Sequence, residues 1–173
     1  MADLRILGID PGTAITGFGI IEVDGQTKRL VDCGVITTPK TMPMSARLAA
    51  LEHDLIEVIA ATKPDVAAVE QLFFATNAKT AISVGQARGV ILLVAEKHHL
   101  TLAEYTPLQI KQAIAGYGQA TKQQIQQMVK LILKLRDVPR PDDAADAVAI
   151  ALTHAANLDF AALTAQAHSP QKP

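Results

Sequence analysis

The sequence holds no tryptophan and a single cysteine, Cys33, in 173 residues. A lone cysteine excludes an intramolecular disulfide and fits a reducing cytoplasm. Cys33 lies in a strand-like run, where a small core thiol is expected rather than a nucleophile. No apolar stretch reaches about 18 residues, which argues against a membrane span. The first residues lack the basic-then-apolar pattern of a secretion signal, so a cytoplasmic location is expected. Five histidines, His53, His98, His99, His154 and His168, have no ligand spacing with the cysteine and give no zinc signature. What remains is 49% hydrophobic and 19% charged, a composition and length that fit one globular domain.

The net charge of −1 conceals a strong segregation. Residues 1–70 carry 6 basic and 10 acidic side chains, residues 71–140 carry 9 and 3, and residues 141–173 carry 1 and 4. A basic middle framed by acids suits an enzyme of phosphodiesters, with cations for the backbone and carboxylates for metal. A solvated helical surface would give the same counts.

Hydrophobic patterning predicts a mixed α/β chain. Leu4 to Ile9, Gly17 to Val23 and Leu30 to Thr37 read as three strands of an antiparallel meander, with a turn at Asp24-Gly25. Leu48, Leu51, Leu55, Ile56 and Ile59 mark a helix that starts at Ser45 and ends before Lys63-Pro64. Val66 to Val69 is a fourth strand closing on Glu70, reached through a helix and so parallel to its neighbour. A long helix from about Asn77 to His99 contains Ala81, Gly85 and Gly89 at i, i+4 spacing, which fits close packing on the sheet or on a second copy. A fifth strand spans Leu100 to Tyr105. Pro107 opens another helix, Gly116-Tyr117-Gly118 breaks it, and Thr121 with Gln124 forms a capping box for the next. The last helix is expected from Asp143 to about Asn157. The chain thus divides into one domain, 1–158, with a mixed five-stranded sheet flanked by helices, and a flexible tail, 159–173.

The chemistry centres on carboxylates. Asp10 closes an apolar strand inside Gly8-Ile9-Asp10-Pro11-Gly12-Thr13, and an acid there needs a cation, a phosphate or a cleft. If strands one and four are parallel neighbours, Glu70 emerges at the same edge. Asp143 and Asp146 share a face of the last helix. The doublet Asp142-Asp143 is open to two readings, a helix cap and a ligand. Four converging acids require cations, and hard oxygens suit Mg²⁺ or Mn²⁺. Asp10-Pro11-Gly12-Thr13 also fits the phosphate loop of an actin-like kinase, a fold that needs a second lobe of similar size. A catalytically inactive nucleic-acid-binding protein of the same fold is a third reading, disfavoured by the Asp143–Asp146 pair.

Four segments in order, Gly8-Ile9-Asp10-Pro11-Gly12, Val69-Glu70-Gln71-Leu72-Phe73, Gly85-Gln86-Ala87-Arg88-Gly89 and Asp143-Ala144-Ala145-Asp146-Ala147, resemble the successive motifs of the RuvC family of Holliday junction resolvases, from Leu4 to Asn157. The resemblance implies an RNase H-like fold and a crossover junction endodeoxyribonuclease of recombination and repair. It implies a homodimer that nicks two opposed strands of a four-way junction with Mg²⁺, two ions per active site, beside a branch-migration helicase of the RuvA and RuvB type. Asp10, Glu70, Asp143 and Asp146 become the metal-binding, catalytic carboxylates, which resolves the doublet in favour of Asp143. Phe73 falls where the family stacks an aromatic on an unpaired base, with Phe74 as the neighbouring alternative. Lys111 and Lys122 fall where the scissile phosphate is neutralised, and Arg88 is a further phosphate contact. On this reading the glycines flanking Asp10 give clearance to a DNA backbone.

Overall fold

A computed structural model of the chain describes residues 3–71 and 78–167. The elements run β1 Leu4–Asp10, β2 Ile15–Asp24, β3 Thr27–Thr37, α1 Met44–Thr62, β4 Val66–Glu70, α2 Ala78–Lys97, β5 Thr101–Tyr105, α3 Pro107–Ala115, α4 Lys122–Ile132 and α5 Asp142–Ala167. The strands form one sheet in the order β3-β2-β1-β4-β5. The first three are antiparallel neighbours, while β4 and β5 run parallel to β1. This is the mixed sheet that the hydrophobic pattern predicts.

Both faces of the sheet are covered, so β1 and β4 are apolar without alternation. Leu7, Ile9, Ile20 and Val69 pack against Leu51, Leu55 and Ile59 of α1 and Ile91 and Val94 of α2. Ile6, Ile21, Val66 and Ala68 face the other way, into a core with α3, α4 and the buried side of α5. Because side chains alternate along a strand, the positions of Ile6 and Ala68 send Asp10 and Glu70 toward α5 as well.

Glycine decides how near α5 can come. A Cβ on Gly8 would lie 2.0 Å from the Ala147 carbonyl oxygen, one on Gly17 2.1 Å from that of Asp143, and one on Gly19 2.5 Å from Cγ2 of Val148. The helix meets this floor with small side chains, Ala144, Ala147 and Ala151 being wholly buried. Gly8 therefore clears a helix rather than DNA. Gly12 likewise clears its own turn, since a Cβ there would meet the Ile15 carbonyl oxygen at 2.0 Å. The Thr16 hydroxyl donates to the Gly12 carbonyl at 2.6 Å and closes that turn.

Helix ends follow local chemistry. Thr106 and Thr121 each head a full capping box, with Gln109 and Gln124 as partners. The last helix does not stop near Asn157 but continues to Ala167, so part of the expected tail is helical. No glycine or proline interrupts residues 143–167, and Asp159 is tied to Lys28 at 2.8 Å. On α2, Ala87, Ile91 and Val94 face the sheet. Gly89 instead points into open space, with Ile82 and Leu93 exposed beside it, so it does not serve sheet packing.

Replacing Gly8 by alanine should push α5 off the sheet and cost roughly 2–4 kcal/mol, read from the urea midpoint. A change within about 0.5 kcal/mol would contradict the close approach.

Candidate active site

Register builds the site. Asp10 pairs with Gly17 of β2, the Ile9–Val69 pairing sets Glu70 level with Asp10, and Glu70 pairs with Tyr105 of β5. The row Gly17, Asp10, Glu70, Tyr105 thus crosses four strands at one end and on one face. The bare Gly17 admits the first turn of α5, whose Asp143 Cβ would lie 3.3 Å from a Cβ at Gly17. Asp143 is close enough to Asp10 for its charge to raise that carboxyl. Asp142 instead turns to the cations Arg140, at 3.5 Å, and Lys122, at 3.9 Å. Asp146 follows one turn after Asp143, and Lys122 Nζ reaches its carboxylate at 2.8 Å.

These acids feel one another. Burial, then the charges of Glu70, Asp146 and Asp143, push the Asp10 carboxyl up to about 8, and Asp10 is hydrogen-bonded to Glu70. Burial also raises Glu70, with the hydrogen bond from Asp10 acting in the opposite direction. Asp146 is raised by burial against the pull of Lys122, whose own ammonium is held above its usual range by Asp146. A carboxyl raised this far favours its protonated form near neutral pH, with Glu70 as its neighbour. Crowded hard oxygens that lean on a lysine suit a hard divalent cation, which would replace the Asp10 proton as the neutralising charge.

A cleft of about 230 Å³ opens beside this edge, lined by Glu70, Lys111, Lys122 and Asp146 over an apolar floor that includes Ile110 and Ile125. The two lysines expected near the site are therefore both there. Arg88 lies elsewhere: its guanidinium is paired with Glu104 between α2 and β5, and its Nε is buried without a partner. Contact with a phosphate would require it to leave Glu104. Phe73 and Phe74 lie outside the described residues.

Two features were not anticipated from sequence. Tyr105 joins the row through strand register, which spacing along the chain does not reveal. Among the described residues, the group of three ligand-type side chains whose donor atoms lie within 4.8 Å of one another is His53, Asp54 and Glu57. The i, i+1, i+4 spacing could have revealed it. It sits on α1, across the sheet from α5, where the His53 imidazole, exposed to solvent, is raised first by its bond to Asp54.

The raised Asp10 has a thermodynamic consequence in metal-free protein. The folded chain holds this proton up to about 8, whereas the unfolded chain releases it near 3.8. Between those values the native state binds more protons, so stability falls as pH rises through the window. Asp10→Asn should raise the metal-free stability at about pH 8 by roughly 1–3 kcal/mol, with the gap closing toward about pH 4. Thermal melts across this range check it, and a variant less stable than wild type at the upper end would contradict it.

The chain resembles known proteins over most of its length. The family profile described as "Crossover junction endodeoxyribonuclease RuvC" matches residues 6–154. The protein of that name from Alkaliphilus oremlandii is 53% identical over 155 residues, covering 90% of this chain and 94% of its own. The Thermus thermophilus RuvC structure superposes with a TM-score of 0.85 at 37% identity, covering 91% of this chain and 97% of that one. A second Thermus structure, in complex with a Holliday junction substrate, gives 0.83 at 35% identity, covering 91% and 96%. The fold is accordingly RNase H-like, and the chain belongs to the RuvC family of crossover junction endodeoxyribonucleases.

Proposed function

We propose that this protein resolves four-way Holliday junctions in recombination and repair by paired, symmetric, Mg²⁺-dependent nicks. The observation that carries the reading is the convergence of Asp10, Glu70, Asp143 and Asp146 at one sheet edge, with Lys111 and Lys122 lining the adjoining cleft. The four carboxylates would hold two Mg²⁺ ions, or Mn²⁺ on the same donors. When bound, these ions supply Lewis-acid stabilisation and a more acidic water. Lys122, already a partner of Asp146, and Lys111 offset the charge that builds on the scissile phosphate. Phe73, three residues past Glu70, is assigned to stack on a base opened at the crossover, with Phe74 as the neighbouring alternative.

Two opposed cuts need two sites related by a two-fold axis, hence a homodimer. Support for the seam comes from α2, where Ile82 is 66% and Leu93 51% exposed around the open Gly89. The reading includes a helicase partner of the RuvA and RuvB type and a cytoplasmic location. Among the described residues, no helix is long and apolar enough to cross a membrane.

A labelled synthetic junction should be nicked symmetrically with Mg²⁺, a linear duplex of the same sequence should not, and Asp10→Asn should lose at least about a hundredfold in rate. Equal cutting of the duplex would reject structure selectivity, and no cutting with any divalent ion would reject the enzyme. Ile82→Glu with Leu93→Glu should sediment as a monomer and lose paired nicking; an unchanged dimer would move the seam elsewhere.

A further inference from the structure

Tyr105 touches more of the site's scaffold than any role assigned above requires. Its carbonyl accepts the Gln71 amide at 2.8 Å, which fixes the chain directly after Glu70. Its backbone then runs into Thr106, whose capping box starts α3 and so sets the direction in which Lys111 leaves. Its ring, directed by register toward α5, places the phenol oxygen 2.7 Å from His154 Nδ1. The rings lie 6.0 Å apart at 55°. The Asn157 side chain lies beside the phenol and opposes the rise in its pKa that burial causes. Asn157 Nδ2 in turn donates to the Thr153 carbonyl at 3.1 Å. A phenol hydroxyl donates to Nδ1 of a neutral imidazole whose other nitrogen carries the hydrogen. His154 is half-buried and its basicity is lowered by burial, which preserves that acceptor.

Three carriers of functional groups therefore meet at one residue: β4 with Glu70 and α3 with Lys111 through its backbone, and α5 with Asp146 through its side chain. The glycine floor fixes α5 against β1 and β2, but it does not reach β4 and β5. We propose that Tyr105 is a positioning residue that sets the separation of Glu70 from Asp146 through its hydroxyl bond to His154. This rests on the metal-dependent reading above. Loss of the bond leaves the fold in place, because the ring still packs in the core, yet it frees the β5 end of the sheet to shift relative to α5. Two carboxylates that share a cation feel such a shift far more than a packed core does.

The test compares wild type, Tyr105→Phe, His154→Gln and the double variant. Mn²⁺ binding to DNA-free protein is followed by electron paramagnetic resonance, alongside melting temperature and junction affinity without divalent ion. Tyr105→Phe should bind Mn²⁺ about five- to tenfold more weakly, with junction affinity unchanged and melting shifted by only a few degrees. The double variant should be no worse than the weaker single one, as expected for one shared interaction. Wild-type Mn²⁺ affinity in Tyr105→Phe, or losses that add in the double variant, would overturn the positioning role alone. If wild type itself binds no Mn²⁺, the metal-dependent reading fails and this inference fails with it.

Discussion

The close seat of α5 on β1 and β2 is the constraint on which the rest of the molecule depends. Gly8, Gly17 and Gly19 remove the side chains that would hold the helix off, and Ala144, Ala147 and Ala151 answer from the helix side. Without larger groups between them, backbone meets backbone, and the acids of the first helical turns reach the strand ends. Such a contact gains little from burying big side chains; its value is in distance. The apolar bulk that stabilises the domain lies elsewhere, in Ile6, Ile21, Ile150 and Leu152 on one face and Leu7, Leu55 and Ile91 on the other.

That geometry carries an electrostatic cost. Asp10, Glu70 and Asp146 are all pushed toward their protonated forms by burial, and among the described residues Lys122 alone stands in direct ionic contact with Asp146. A site assembled this way is less stable than an apolar one of equal size, and the deficit is offset when a cation arrives. On the proposed metal-dependent reading, function and stability pull on Asp10, Glu70 and Asp146 in opposite directions.

Much of this was legible in the chain. The apolar run ending at Asp10, the second ending at Glu70 and the i, i+3 pair Asp143 and Asp146 led directly to a shared sheet edge. The capping boxes at Thr106 and Thr121 are local, and Thr121 with Gln124 was readable as a motif. What escaped needed three dimensions. Gly8 and Gly12 looked like clearance for a ligand because a glycine does not say which neighbour crowds it. The ion pair of Arg88 with Glu104 joins α2 to β5 and does not follow from spacing along the chain. Tyr105 is adjacent to Glu70 only through register. The helix beyond Asn157 runs to Ala167 because no breaker interrupts it, although a polar, proline-bearing sequence follows.

The most direct test of the assembled acid cluster is calorimetric titration of Mn²⁺ into the metal-free protein near neutral pH, in two buffers of different ionisation enthalpy. A cation that displaces the proton held on Asp10 must release it, so binding should expel on the order of one proton per site, and Asp10→Asn should abolish that release. Binding with the same proton count in both proteins would contradict the account, because the four carboxylates would then not share one site.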